Sequence, residues 1–272
     1  MLAQRYEEQR IGKCRIAVGR AAVNDQIIVD LTRISCDSGA LARASGRLER
    51  GMSTGEEGTE LGALRLELAQ TADIADLTEQ MLEIVGVVDA ALASLGIRPV
   101  VVGGLAVAYW VSGLYVTADI DVVMPHAAGI EERLAELGFL REGRYWTLPG
   151  RQPVFEAPGS TLSFNREGYS EAQLASGRSI LIQDVEELLL LRLDEFVATG
   201  NADVFQQCLW LLGVRSIERA RLERRAAEQS LGAALDAVET VAEEIVVAGR
   251  TLEIWEITDL AIKLRRPAPK EL

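Results

Sequence analysis

Two aspartates separated by one residue, Asp119 and Asp121, are the most informative polar residues of this chain. They lie in the segment ADIDVVM, whose apolar and β-branched residues predict a strand that is closed by Pro125. Because successive side chains of a strand alternate between its faces, both carboxylates lie on one face, and Ile120 points into the core. Two adjacent carboxylates repel unless a cation bridges them, and Mg²⁺ prefers carboxylate oxygens together with substrate phosphates. The spacing therefore predicts a divalent-metal site.

A pair of glycines, Gly103 and Gly104, precedes these aspartates, with fourteen residues between Gly104 and Asp119. The apolar run before the pair predicts a short buried strand, and residues 105–111 predict a helix. A Gly-Gly turn leaves the backbone N–H groups of the helix N-terminus open to phosphate oxygens, which a β-carbon would hold away. A purely structural turn is the alternative. A dinucleotide-binding turn is disfavoured, because the third glycine of G-x-G-x-x-G is absent.

The composition restricts the chemistry that is open to the chain. The presence of a single histidine, His126, argues against His-based metal sites and a Ser-His-Asp triad. Three widely separated cysteines argue against a disulfide framework or a zinc site and favour a reducing compartment. The net charge of −13 argues against sequence-specific or non-specific DNA binding. Catalysis must therefore depend on carboxylates, hydroxyls, arginines or a bound metal.

One segment, residues 99–118, carries no formal charge and is about as long as a bilayer-spanning helix. A membrane span is the alternative for this run. Its internal proline and glycines, and its direct continuation into Asp119, favour a buried strand, turn and helix. The charged N-terminus, residues 1–10, does not resemble a signal peptide. We therefore expect a cytoplasmic protein with no membrane partner.

The remaining periodicities predict an α/β (α+β) fold in three parts. Residues 1–63 are read as a weakly ordered N-terminal extension, and a helix-turn-helix within them is a minor alternative. Residues 64–183 form a mixed α/β core and residues 184–265 a helical module. The predicted elements are helices at 64–95, 105–111, 130–137, 188–198, 201–212 and one or two within 216–248, and strands at 98–102, 118–124, 144–148, 153–157 and 179–182.

The segment GGLAVAYWVSGLYVTADIDVVM resembles the signature of the nucleotidyltransferase superfamily, an apolar strand, Gly-Gly, and Asp-x-Asp on the next strand. More narrowly, it is similar to minimal nucleotidyltransferases that include toxins of abortive-infection, type IV toxin–antitoxin systems. The resemblance covers about residues 75–215. It implies a nucleotidyltransferase-like mixed sheet flanked by helices and followed by a helical module.

The resemblance also implies roles for individual residues. Gly103 and Gly104 would contact nucleotide phosphates, and Asp119 and Asp121 would hold Mg²⁺ or Mn²⁺. A third carboxylate, Glu156, would complete the metal site or act as the base, with Glu142 as a poorer candidate. Many relatives carry a basic residue shortly before Asp-x-Asp, whereas this chain has the sequence Leu-Tyr-Val-Thr at 114–117. The candidate replacements for that charge are Arg192 and Arg141.

Three functions are compatible with these residues. The first is transfer of a nucleotidyl group from a nucleoside triphosphate, such as ATP, to a hydroxyl of tRNA or of a protein, by a toxin with a cognate antitoxin. The second is a catalytically degenerate relative that serves as an interaction module. The third is an antibiotic-modifying nucleotidyltransferase, which differs from the first in its acceptor.

Overall fold

The computed structural model of the protein describes residues 54–151, 153–159, 168–248 and 250–265, together with the backbone of short N-terminal strands. The predicted extension, residues 1–63, falls largely outside this part, so its weak order stays a prediction. The N-terminal strands form a sheet of order β1-β2-β5 and a separate pair β3-β4. They are β1 (Glu7–Ile11), β2 (Cys14–Val18), β3 (Ala22–Val23), β4 (Gln26–Ile27) and β5 (Ile34–Ser35).

Seven strands form the main sheet, in the order β11-β12-β6-β7-β10-β9-β8. The sheet is mixed, because β7 runs antiparallel to β6 and parallel to β10, and β12 runs parallel to β6. This arrangement confirms the predicted α/β class with a mixed sheet. The strands are β6 (Val100–Val101), β7 (Asp119–Val123), β8 (Leu140–Glu142), β9 (Tyr145–Thr147), β10 (Val154–Gly159), β11 (Tyr169–Gln173) and β12 (Ser179–Gln183).

Helices precede, interrupt and follow the strands of the main sheet. The last five come after the final strand, as the prediction of a helical module requires. The helices are α1 (Thr54–Gln70), α2 (Leu77–Leu92), α3 (Gly103–Val111), α4 (Ile130–Leu137), α5 (Val185–Thr199), α6 (Ala202–Leu212), α7 (Arg219–Glu228), α8 (Gly232–Ala248) and α9 (Ile254–Leu264).

The prediction of one helix over 64–95 is wrong, because α1 and α2 are separate helices. A short 3-10 turn at Thr71–Asp73 follows α1. The carboxylate of Asp76 then accepts a hydrogen bond from Glu79 N–H at 2.9 Å and caps α2. The apolar period continues across this break, which hid it, whereas the local side-chain cap decides where the second helix begins.

Several predicted boundaries are confirmed by the geometry of single residues. Gly96 and Gly138 end their helices in the left-handed conformation, with φ of 69° and 102°. Asn201 Oδ1 accepts from Asp203 N–H at 2.8 Å at the start of α6. The sequence analysis missed β8, β11 and α9. The two strands are polar sequences with little burial, so their alternation was not visible.

No helix among the described residues is both long and apolar enough to cross a bilayer. The uncharged run at residues 99–118 instead contains β6, α3 and the approach to β7. Much of the apolar side-chain surface of β6 and α3 is buried within the protein, as the fully enclosed Val101, Leu105 and Val107 show, whereas Val116 before β7 is exposed. The predicted strand and helix are confirmed, but the two glycines predicted as a turn are the first residues of α3, which begins at Gly103 rather than at Leu105.

The chain divides into two compact units. One comprises residues 51–192 and 210–231 and contains the main sheet, and the other comprises 1–50, 193–209 and 232–272. Within the second unit, the rings of Phe196 and Phe205 pack with centroids 4.9 Å apart. Within the first unit, one sheet face is apolar and closed, with these buried side chains: Val101, Ile120, Val122, Phe155, Ile180 and Ile182.

Three acidic residues at the start of α5 are buried and paired with α7 in the same unit. Arg225 grips Glu187 with both ends of its guanidinium, at 2.5 and 3.1 Å. Arg221 binds Asp184 at 2.7 Å and approaches Glu186 at 3.6 Å. Because unpaired buried carboxylates are costly, these contacts make α7 a clamp on the start of α5.

We predict that Arg225→Met lowers the free energy of unfolding by roughly 2–4 kcal/mol, because it leaves the buried Glu187 carboxylate without its arginine partner. The expected loss is smaller than for a fully buried ion pair, since Arg225 is partly exposed. Chemical denaturation measures the change. The matched control is Lys263→Met, which removes an exposed pair with Asp259 and is expected to cost less than about 1 kcal/mol. Equal losses in the two variants would contradict the clamp.

Candidate active site

The two aspartates of the motif lie at the start of β7, on the open face of the main sheet. Asp119 and Asp121 alternate with Ile120, which is 1% exposed and packs into the core. The turn before β7 is fixed by Asp119 N–H, which donates to Thr117 Oγ1 at 3.3 Å. The predicted sharing of one face by the two carboxylates is therefore present in the structure.

The third carboxylate, Glu156, lies beside them. Strand β10 is parallel to β7 with Glu156 in register with Asp121, so their side chains share a face on neighbouring strands. Glu156 is 13% exposed and pairs with Arg144, Nε to Oε1, at 3.1 Å. The sequence analysis did not single out Arg144, which approaches Glu156 from the turn between β8 and β9. Glu142, the poorer candidate, is exposed at the end of β8.

The Gly-Gly turn packs directly against Asp121. Gly103 has φ of +63°, which favours glycine, and a β-carbon there would lie 2.5 Å from Asp121 Oδ2. The backbone N–H of Gly104 lies near the Asp121 carboxylate and acts to lower its pKa. A glycine at 103 is thus required by the positive φ and by the neighbouring Asp121 side chain, and contact of this residue with a phosphate stays a prediction.

The electrostatics of the site concentrate on Asp121. Its burial raises its pKa above the usual range, and the charges of Glu156 and Asp119 raise that pKa further. The charge of Arg192 and the N–H of Gly104 oppose the increase. The negative charges of Glu156 and Asp119 therefore both act on Asp121, an arrangement that a bound cation would stabilise.

The two arginines proposed to replace the missing basic residue differ in position. Arg192, on α5, is close enough to act on the charge of Asp121. Arg141 instead pairs with Glu131 and stacks on the ring of Trp146, with 5.5 Å from its guanidinium carbon to the ring centroid. Arg192 is therefore the candidate that the structure brings to the site.

Two hydroxyl groups reach the Gly-Gly turn, and the sequence analysis did not assign them to the site. A β-carbon on Gly104 would lie 3.0 Å from Thr117 Oγ1 and 3.4 Å from the phenolic oxygen of Tyr115. Both residues belong to residues 114–117, the segment that lacks a basic side chain before Asp119. The space beside Gly104 is thus lined with two neutral hydroxyl groups. These contacts arise because residues 115 and 117 fold back onto Gly104, and no local sequence pattern predicts them.

The three carboxylates share a face of the sheet, but their side chains do not form a preorganised metal-coordination site. Among the described residues, no group of three or more His, Cys, Asp or Glu side chains lies ready to hold a metal ion. The donor set of Asp119, Asp121 and Glu156 nevertheless fits a hard divalent cation, which takes carboxylate oxygens and completes its shell with water and phosphate. Their assignment as metal ligands stays a prediction.

Gln183 is an unexpected polar residue on the same sheet face. Leu181 is in register with Val100 on β6, so Gln183, two residues later, follows it on the face that carries Asp121. Gln183 is 1% exposed, and neither amide atom of its side chain has a hydrogen-bond partner among the described residues. Its backbone carbonyl accepts from Trp110 Nε1 at 2.8 Å. The buried amide is therefore a cost to the folded state.

We predict that Gln183→Met raises the free energy of unfolding by about 1–3 kcal/mol, because it removes a buried, unsatisfied amide and keeps an unbranched side chain. Thermal denaturation measures the change. Gln173→Met, at an exposed position of β11, is the control and should change little. A loss of stability in Gln183→Met would show that the amide is hydrogen-bonded in solution.

A second prediction concerns the charge of Asp121. Its raised pKa means that the folded chain binds the proton more tightly than the unfolded chain, so this contribution to stability is complete below the unfolded pKa and is lost as the pH rises through the folded pKa. We therefore expect Asp121→Asn to raise Tm at pH 7, with a difference from wild type that shrinks toward about pH 4.

Paired melting curves at the two pH values test this expectation. Asp236→Asn, the same substitution at an exposed position of α8, is the control and should leave Tm nearly unchanged at both. A lower Tm for Asp121→Asn at pH 7 would refute the idea that the ionised carboxylate is repelled in the folded state.

Comparisons with known proteins give the following findings. No protein-family model matches the chain, and no curated protein matches it. Among solved structures, it is similar to an antigenic nucleotidyltransferase-like protein from Paracoccidioides brasiliensis, at 18% identity and a TM-score of 0.40, over 60% of this chain and 94% of that one. It is also similar to the antibiotic-resistance factor ANT(2'')-Ia, at 17% identity and a TM-score of 0.38, over 61% and 99%. At these values, the function has to be argued from the site itself.

Proposed function

We propose that this chain is a metal-dependent nucleotidyltransferase, which moves a nucleoside monophosphate from a nucleoside triphosphate to a hydroxyl acceptor. The observation that carries the proposal is the register of β7 and β10, which puts Glu156 beside Asp121 on one face, with the Gly103 turn against the Asp121 carboxylate. An acidic group next to an open glycine turn suits a ligand that combines a divalent cation with phosphates.

In this proposal, Asp119, Asp121 and Glu156 hold Mg²⁺ or Mn²⁺. Such an ion, held by these carboxylates, would supply neutralisation of charge on the transferred phosphate. The glycine turn and the hydroxyls of Tyr115 and Thr117 donate hydrogen bonds to phosphate oxygens, and the charge of Arg192 adds to this field. These groups position the triphosphate for in-line attack.

The transfer itself balances as a substitution at phosphorus. The acceptor oxygen forms a bond to the α-phosphorus, the bond from that phosphorus to the bridging oxygen breaks, and pyrophosphate leaves with the electron pair. A carboxylate of the site would accept the proton of the hydroxyl, and we propose Glu156 for this role as the alternative to its role as a metal ligand. Its contact with Arg144 orients the carboxylate before the acceptor arrives.

The acceptor follows from the resemblance and the charge of the chain. We propose a tRNA end or a protein side chain as acceptor, in a cytoplasmic toxin with a cognate antitoxin. The net charge of −13 favours a protein acceptor over RNA unless a basic patch forms locally. An antibiotic as acceptor would use the same core residues and differ in the wall of the site.

A non-catalytic interaction module is the second candidate, and a specific observation favours it. Glu156 already has a cationic partner in Arg144, and the three carboxylates do not form a preformed group. A degenerate site would retain the fold and lose the metal. The two candidates differ in whether a triphosphate binds in a metal-dependent manner.

We predict that wild-type protein binds ATP, GTP, CTP or UTP more tightly with Mg²⁺ than with EDTA, because the carboxylate group repels a bare triphosphate. Asp119→Ala/Asp121→Ala should weaken metal-dependent binding at least about tenfold, or about 1.4 kcal/mol. Calorimetric titration measures it, with Asp236→Asn as the control.

Transfer of label from α-labelled triphosphates then tests catalysis, with tRNA, protein fractions and aminoglycosides as acceptors. Labelling that disappears in the double variant would support the enzyme and identify its acceptor class. Metal-dependent binding without transfer to any acceptor, or no binding by folded wild-type protein, would favour the interaction module.

A further inference from the structure

An aromatic pair lies beside the glycine turn in the unit that contains the main sheet. The phenolic oxygen of Tyr115 comes within 3.4 Å of where a β-carbon of Gly104 would be. On its other side, the ring of Tyr115 meets the ring of Trp210, with centroids 6.4 Å apart and planes tilted by 51°. Both side chains are partly exposed, so their ring faces are not sealed within the core.

This pair is not needed for core packing in the way that other aromatic residues are. Phe155, Phe196 and Phe205 are fully enclosed, whereas Tyr115 and Trp210 keep part of their surface in solvent. Partly exposed aromatic rings at a site offer flat apolar surface with a polar edge. Tyr115 presents both features, a hydroxyl at the turn and a ring that leads away from it.

The order of groups along this wall matches the order of groups in a nucleotide. The hydroxyls of Tyr115 and Thr117 lie at the glycine turn, and the ring of Trp210 lies next to the ring of Tyr115. Resting on the function proposed above, we propose that Tyr115 and Trp210 form the base-binding wall of the site, where the nucleobase of the triphosphate stacks. A stacking wall discriminates by ring size rather than by hydrogen-bond pattern, so purine nucleotides bind more tightly than pyrimidine nucleotides.

The experiment separates the base from the phosphates. Affinities for ATP, UTP and inorganic tripolyphosphate, all with Mg²⁺, are measured for the full chain and for Trp210→Leu and Trp210→Phe. Tripolyphosphate lacks a base, so it reports on the turn and the carboxylates alone. Trp255→Leu is the matched control, since Trp255 is 68% exposed on α9.

We expect wild-type protein to bind ATP more tightly than UTP and tripolyphosphate. Trp210→Leu should weaken ATP binding by about fivefold to a hundredfold, the range for loss of one stacked base, and change tripolyphosphate binding less than about twofold. Trp210→Phe restores a ring and should recover most of the affinity for ATP. Tyr115→Phe keeps the ring and removes the hydroxyl, so it should weaken ATP and tripolyphosphate by the same factor.

The opposite results are equally clear. Equal Kd values of wild-type protein for ATP and tripolyphosphate would overturn the base-binding wall without reference to any variant. A Trp210→Leu variant that binds ATP normally, or that loses tripolyphosphate to the same extent as ATP, would overturn it as well. Failure of wild-type protein to bind even tripolyphosphate would instead refute the proposed function, and the wall with it.

Discussion

The register of β7 and β10 is the constraint on which the candidate site depends, because it places Asp119, Asp121 and Glu156 on one face of the sheet. The strand register that buries Ile120 and Phe155 on one face forces the three carboxylates together on the other. Burial of the apolar face stabilises the sheet, and the same alternation imposes the charge. Burial of Asp121, together with the charges of Glu156 and Asp119, raises the pKa of this carboxyl, so its ionised form carries a cost in the folded chain.

The elements around the carboxylates reduce that cost without removing it. Because residue 103 is a glycine, the backbone can lie close to the Asp121 carboxylate, and the N–H of Gly104 acts to lower its pKa. Helix α5 contributes the charge of Arg192, which acts in the same direction. The start of α5 is in turn fixed by Arg225 and Arg221 of α7. Ion pairs between α5 and α7 thereby hold the start of the helix that carries Arg192.

The motif residues could be predicted because their signals are local. A period of two places Asp119 and Asp121 on one face, and glycines mark turns wherever they occur. Contacts across long separations left no such signal, as with the return of Tyr115 to Gly104 and the pairing of Arg144 with Glu156. The break between α1 and α2 was missed for the opposite reason, since the apolar period continued through a stretch in which one capping side chain decides the boundary.

The neutral lining of the turn has a consequence for how the site would fill. Tyr115 and Thr117 donate hydrogen bonds but carry no charge, so they cannot offset a triphosphate beside three carboxylates. Arg144 pairs with Glu156, so its positive charge is already offset by that carboxylate. The positive charge that remains for a phosphate is smaller than the negative charge of the three carboxylates. In the proposed function, the cation and the triphosphate would therefore each favour the binding of the other, with the same coupling in both directions. A site of this kind would discriminate against metal-free phosphates and metal-free nucleotides, and its selectivity would lie in the pair rather than in either ligand.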